Sequence, residues 1–65
     1  MCLSTVYQLG QQKPLAKNVA LVSQEDGKLL LTDILGIRTE LRARILRVDL
    51  MENQIFVDTE ETESA

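Results

Sequence analysis

An Asp-Gly pair, Asp26-Gly27, restricts the fold of this chain more than any other feature of its sequence. Short apolar segments lie on either side of it, at residues 19–22 and 29–31. Asp-Gly favours a two-residue type I′ turn, which needs positive φ at both positions and joins antiparallel strands. The pair therefore predicts a β-hairpin. The second segment is uniformly leucine, which predicts a strand that is buried on both faces.

Other segments have the residue types and the alternation of β-strands. Residues 2–8 alternate between two faces and are enriched in β-branched and aromatic side chains. The remaining candidate strands are residues 37–41, 44–50 and 54–57. They are separated by predicted turns and loops at residues 10–14, 33–36 and 51–53, where Gly, Pro, Asp and Asn are concentrated. The pattern predicts an all-β fold.

The stretch from residue 39 to residue 53 fits two structures. Leu41, Ile45 and Val48 have the i, i+4, i+7 spacing of an amphipathic helix. The same stretch also alternates as a strand would, and this periodicity does not separate the two. The predicted turn at residues 51–53 and the β-prone segment after it favour the strand.

The chain has 65 residues, which is enough for one small domain. A chain of this length buries only about 60% of its unfolded surface, so its core is marginal and dimerisation is expected. Residues 1–57 contain seven Lys and Arg and six Asp and Glu, so their charges nearly balance. The other four acidic residues follow, at Asp58, Glu60, Glu61 and Glu63. We therefore expect one β-barrel domain over residues 1–58 and a disordered acidic tail over residues 59–65.

The single cysteine, Cys2, excludes an internal disulfide. The first residues contain neither a basic leader nor a long apolar segment, so neither export nor membrane insertion is indicated. We expect a cytoplasmic protein in which the thiol stays reduced.

Cys2 lies one residue from the α-amine of Met1. A thiolate, an amine and the intervening peptide nitrogen can bind one metal ion through fused chelate rings, and such N/S donors suit square-planar Ni(II) or Cu(II). The ordinary alternative is that a lone cysteine is a small buried hydrophobe. Composition alone favours that alternative.

The arginines are concentrated in ten positions, at Arg38, Arg42, Arg44 and Arg47. This segment is either a phosphate-binding surface of a small RNA-binding module or a solvated face. The solvated face is favoured, because the domain is nearly neutral and Tyr7 and Phe56 are its only aromatic residues. Binding of nucleic acid is not expected.

Catalysis is also not expected. The chain has no histidine to act as a base beside Cys2, and it has no Gly-rich phosphate-binding loop. Asp33 and Asp49 are the only pair worth considering as acid and base, and both lie beside predicted turns, where Asp commonly forms the turn.

Three segments together resemble the CooT family of small nickel-binding proteins. These are Met1-Cys2-Leu3-Ser4-Thr5-Val6-Tyr7, Leu31-Thr32-Asp33-Ile34-Leu35-Gly36, and Arg44-Ile45-Leu46-Arg47-Val48-Asp49-Leu50 leading into Gln54-Ile55-Phe56-Val57. Their order and spacing are more specific than any one segment.

The resemblance implies a small SH3-like or Sm-like antiparallel barrel of five to six short strands that forms a homodimer. It also implies a metallochaperone that binds Ni(II) through Cys2 and supplies it to a nickel enzyme such as carbon monoxide dehydrogenase. Cys2 is the residue that carries over from the family, and Met1 is a second candidate ligand through its α-amine.

Overall fold

The structure, a computed structural model, describes residues 3–59 and contains five β-strands and no helix over that range. The strands are β1 (Ser4–Gln8), β2 (Pro14–Glu25), β3 (Lys28–Asp33), β4 (Arg38–Asp49) and β5 (Gln54–Thr59). Met1, Cys2 and residues 60–65 lie outside the described residues, so most of the predicted tail does as well. Thr59, the first residue of that predicted tail, ends β5.

The five strands form a closed barrel in sequence order. Each strand pairs antiparallel with the next one, and β1 closes the ring by pairing in parallel with β5. The parallel pair is a consequence of strand number: when five strands alternate in direction, the first and the last run the same way. The predicted all-β barrel is confirmed, with five strands.

The central hairpin forms where the Asp-Gly pair predicts it. Asp26 and Gly27 have φ of 48° and 79°, the positive values that a type I′ turn requires. Leu29 and Leu31 are buried, whereas Leu30 is only half-buried. The expectation that this strand is buried on both faces is therefore wrong. Only its inner face lies against the core, because no other element of residues 3–59 packs on the outer face of the barrel.

The ambiguous stretch forms a strand, and the two predicted strands at residues 37–41 and 44–50 are halves of β4. The pairing of β4 with β5 shifts register between Ile45 and Arg47, which inserts one extra residue, Leu46. A bulge of this kind exchanges the two faces of a strand. Leu41, Ile45 and Val48 therefore lie on the same face of β4, and their helix-like spacing is the spacing of a strand with one residue added. Leu41 and Ile45 pack against the core, whereas Val48 is 49% exposed.

In the described part of the chain the core consists of seven buried apolar side chains, and every strand contributes at least one: Val6, Val19, Leu29, Leu31, Ala43, Ile55 and Val57. No polar side chain of residues 3–59 is buried with them. Cross-strand neighbours such as Val6 and Ile55 lie on the same inner face. The core is small, so the parts of the backbone that the strands leave unpaired matter for stability.

The side chain of Gln24 forms hydrogen bonds with one of these unpaired segments of backbone, in β4. β3 pairs with β4 only between Arg38 and Arg42. Just beyond, the Gln24 amide donates to the Ala43 carbonyl at 3.0 Å and accepts from the Ile45 N–H at 3.2 Å. The side chain thus gives β4 the hydrogen bonds that a neighbouring strand would otherwise supply.

We predict that Gln24→Ala lowers the free energy of unfolding by about 1 kcal/mol, since net contributions of single hydrogen bonds are of that size. Gln11→Ala is the matched control, because Gln11 lies in the exposed loop between β1 and β2. Urea denaturation of both variants measures the difference. Equal stability of the two variants would contradict the structural role of Gln24.

Candidate metal-binding end of the barrel

The predicted metal ligands, Met1 and Cys2, lie outside the described residues, so the structure does not test them. It does describe where the chain that follows them enters the barrel. Cys2 is two residues before Ser4, the first residue of β1. The surroundings of Ser4 therefore define the end of the barrel that is relevant to a metal.

The start of β1 is paired on both edges. Ser4 is opposite Val19 of β2, and Thr5 is opposite Gln54 of β5. The Thr5 N–H also donates to the carbonyl of Asn53, at 3.0 Å, in the turn that precedes β5. This pairing fixes the start of β1 between β2 and that turn.

Two turns with exposed apolar side chains flank this position. We define the apolar rim as their five large apolar residues, Ile34, Leu35, Ile37, Leu50 and Met51. Leu35 is 80% exposed and Met51 is 92% exposed. Singly exposed apolar residues are ordinary, but several on the two turns beside the start of β1 are characteristic of an interaction surface.

Strand register places both turns beside the start of β1. Asp33, which precedes the first turn, is opposite Val19, and Val19 is opposite Ser4. Asp49, which precedes the second turn, is opposite Gln54, and Gln54 is opposite Thr5. Each turn therefore begins two strand spacings from β1, a distance of about 10 Å. The first turn extends from there in the direction of β1 and the second in the opposite direction, so the apolar rim lies on both sides of the start of β1.

Asp33 and Asp49 hold these turns in place. An oxygen of Asp33 accepts from the N–H groups of Leu35 and Ile37, both at 2.9 Å. An oxygen of Asp49 accepts from those of Met51 and Glu52, both at 3.1 Å. The prediction that these residues are turn formers is confirmed. The backbone hydrogen bonds of each carboxylate explain why an Asp stands at that position without any catalytic role.

Residues 3–59 contain no group of three or more His, Cys, Asp or Glu side chains that could hold a metal ion. The acidic residues of this part of the chain are instead found in or beside turns, in pairs with basic residues or, for Glu25, at the exposed end of β2. The candidate ligands thus remain those that the sequence indicated, Cys2 and Met1.

The four arginines all lie on the outer face of β4 and are exposed. Arg44 is 3.9 Å from Asp58, and Arg47 is 3.8 Å from Asp49. These are exposed pairs, which contribute little to stability, but they offset part of the positive charge. Within residues 3–59, Arg38 and Arg42 have no ion pair.

A cluster that sequence analysis missed lies on the same face. Tyr7 and Phe56 are neighbours in the parallel β1–β5 pair, with ring centroids 5.7 Å apart and ring planes inclined by 21°. The guanidinium of Arg47 lies 5.4 Å from the Phe56 ring centroid. Local sequence patterns contain no signal for this cluster, because it depends on pairing between the two ends of the chain.

Residues 3–59 contain no helix with the length and apolar character needed to cross a bilayer.

Comparison with known proteins identifies a family and solved structures of the same fold. The family model described as "CO dehydrogenase accessory protein CooT" matches residues 1–58. The crystal structure of "putative CooT from Carboxydothermus hydrogenoformans" superposes with a TM-score of 0.78 at 24% sequence identity, covering 92% of this chain and 100% of that chain. At this identity the likeness shows the fold. A comparison with curated proteins finds no match.

Proposed function

Because this chain belongs to the CooT family of CO dehydrogenase accessory proteins, we propose that it is a nickel metallochaperone that binds Ni(II) through Cys2 at a homodimer interface. The client would be CO dehydrogenase, and the setting would be the cytoplasm, where a thiol stays reduced. The family match over residues 1–58 carries the proposal, since it includes Met1 and Cys2. A family of accessory proteins also agrees with the expectation that this chain is not itself catalytic.

The donor atoms near the start of the chain suit the proposed cargo. The Cys2 thiolate, its peptide nitrogen and the Met1 α-amine are adjacent along the chain, so they can chelate one ion without any fold of their own. Sulfur and nitrogen donors of this kind favour square-planar Ni(II). One chain offers a single thiolate, and a second copy would supply another.

The apolar rim supports the second copy. Its five exposed apolar side chains lie beside the start of β1, while the core of one barrel has only seven buried residues. Covering the rim with the same surface of another copy would remove apolar area from water and would bring the two Cys2 residues near one another. A metal ion bridging two chains would in turn stabilise the dimer by mass action.

We predict that Cys2→Ala weakens Ni(II) binding by more than about 100-fold, because removing even an outer partner of a metal ligand costs about 10- to 100-fold. Isothermal titration measures the affinity, and the thiolate-to-nickel charge-transfer band should disappear. Met51→Leu is the matched control, since it removes an exposed thioether and keeps an apolar side chain. Affinity should also fall as pH drops below neutral, because the thiol and amine must lose protons to bind. Unchanged affinity in Cys2→Ala would refute the proposal.

We predict that the double variant Leu35→Asp with Met51→Asp is monomeric at concentrations where the unaltered protein is a dimer. Two carboxylates on the apolar rim would have to be desolvated in the interface, which is unfavourable. Sedimentation equilibrium measures the mass. Leu9→Asp is the control, because Leu9 is also exposed but lies beyond the opposite end of β1. A dimer that survives the double variant would show that the interface lies elsewhere.

A second candidate function is single-stranded RNA binding, and one observation favours it. Arg38, Arg42, Arg44 and Arg47 share the outer face of β4, and the guanidinium of Arg47 lies over the Phe56 ring, which stacks with Tyr7. Bases stack on such rings. The three ion pairs of residues 3–59 all lie on this face and reduce its positive charge. We therefore place this function second.

A gel shift with oligouridine at about 150 mM salt separates the two functions. We expect no complex, because residues 1–57 are nearly neutral, with seven basic and six acidic residues, and three ion pairs offset part of the charge of this face. If a complex does form, weakens steeply with salt and is lost in Arg38→Ala with Arg42→Ala, the RNA-binding function is the correct one.

A further inference from the structure

β4 has an edge that no strand of residues 3–59 covers along its first half. On one side, β3 pairs with β4 from Arg38 to Arg42. On the other side, β5 pairs with it only from Ala43 to Asp49. The edge on the β5 side is therefore open beside residues 38–42. We call it the open edge.

The hydrogen bonds of Gln24 show which residues face the open edge. Gln24 reaches the Ala43 carbonyl and the Ile45 N–H from the side of β2 and β3. Backbone groups of alternate residues point to opposite edges of a strand. Those of Arg38, Glu40 and Arg42 therefore point to the open edge, and all three residues are exposed. Such an edge invites pairing with another strand, and proteins commonly cover it.

We propose that residues 60–64 pair reversibly with the open edge as a continuation of β5. Arg44 is opposite Asp58 and Ala43 is opposite Thr59, so the same register places residue 60 opposite residue 42. It likewise places residue 62 opposite residue 40 and residue 64 opposite residue 38. The segment has the length to cover the whole open edge, and it needs no connecting loop, so the entropy of loop closure does not oppose it.

The charges of the two segments match in this register. Glu60 is opposite Arg42, which has no ion pair within residues 3–59. The preceding outer-face pair, Asp58 with Arg44 at 3.9 Å, already has the same arrangement. Thr62 and Ser64 present hydroxyls to Glu40 and Arg38, which can accept and donate hydrogen bonds respectively. The side chains on the outer face of β4 are therefore complementary to the acidic and hydroxyl side chains of residues 60, 62 and 64.

On the other face of the proposed strand pair, the charges of the two segments do not match. Glu61 and Glu63 fall opposite Leu41 and Thr39 in this register, and neither of those residues is basic. Exposed ion pairs are also individually weak. We therefore expect partial and salt-sensitive occupancy, with Glu60 contributing more than Glu61. A tail held in this way covers the open edge and occupies Arg42, so a strand from another protein would have to displace it. This inference does not depend on nickel binding.

Hydrogen exchange by NMR on the full-length protein tests the proposal through the amide protection of Arg38, Glu40 and Arg42. Glu60→Gln should lower that protection by about 2- to 5-fold, the value of an exposed ion pair. Glu61→Gln is the matched control, with the same change of net charge, and should not lower it. Equal loss in both variants, or no loss in either, would overturn the proposed register.

Proline substitution gives an independent test that leaves the barrel sequence intact. In the proposed register the N–H of residue 62 faces β4 and that of residue 63 faces away. Thr62→Pro should abolish the tail-dependent protection, because proline has no N–H to donate, and Glu63→Pro should reduce it less. Protection that is independent of protein concentration supports pairing within one chain. Protection that rises with concentration would show pairing between chains and overturn the proposal.

Discussion

The parallel pairing of β1 with β5 is the interaction on which the rest of this structure depends. It joins the two ends of the described chain and buries Val6 against Ile55. It also sets the start of β1 beside the turn at Asn53. Without this pair, five strands joined by hairpins and turns would form an open sheet with two exposed outer edges. The core and the position of the start of β1 therefore share one cause.

Closure of the ring leaves residues 3–59 with a small interior and with many apolar side chains on the exterior. Among residues 3–59, seven side chains form the core, whereas ten large apolar side chains are exposed. Five of the exposed ones are on the two turns beside the start of β1. A surface of this kind is costly for a monomer and useful for an interface. The proposed dimer would give it a function and would double the number of thiolates available to one metal ion.

Unequal strand lengths explain most of the remaining features. β2 and β4 have twelve residues each, and β1, β3 and β5 have five or six. A long strand cannot be paired along its full length by one short neighbour, so each of its edges is covered in part. The Gln24 side chain fills one gap, and the Gln8 side chain similarly accepts from the Thr59 N–H at 2.9 Å. The open edge of β4 is the gap that no side chain of residues 3–59 fills.

The sequence by itself determined the features that depend on neighbouring residues. These are the Asp26-Gly27 hairpin, the turns that Asp33 and Asp49 hold, the β character of the chain, and the donor chemistry of Met1 and Cys2. Turn chemistry and chelation are set within a few bonds, and the resemblance to the CooT family rests on segments of the same local kind. The family was therefore recognisable from the sequence, although the ligands themselves lie outside the described residues.

Only the tertiary structure decided what depends on register between distant segments. The bulge at Leu46 turned a helix-like spacing into one continuous strand, and closure of the ring brought Tyr7 next to Phe56. The same register gathered the apolar rim around the start of β1 and left half of one β4 edge uncovered. A shift of one residue in pairing exchanges the faces of a strand. Long-range pairing therefore decided which side chains face the core, and local sequence patterns do not contain that information.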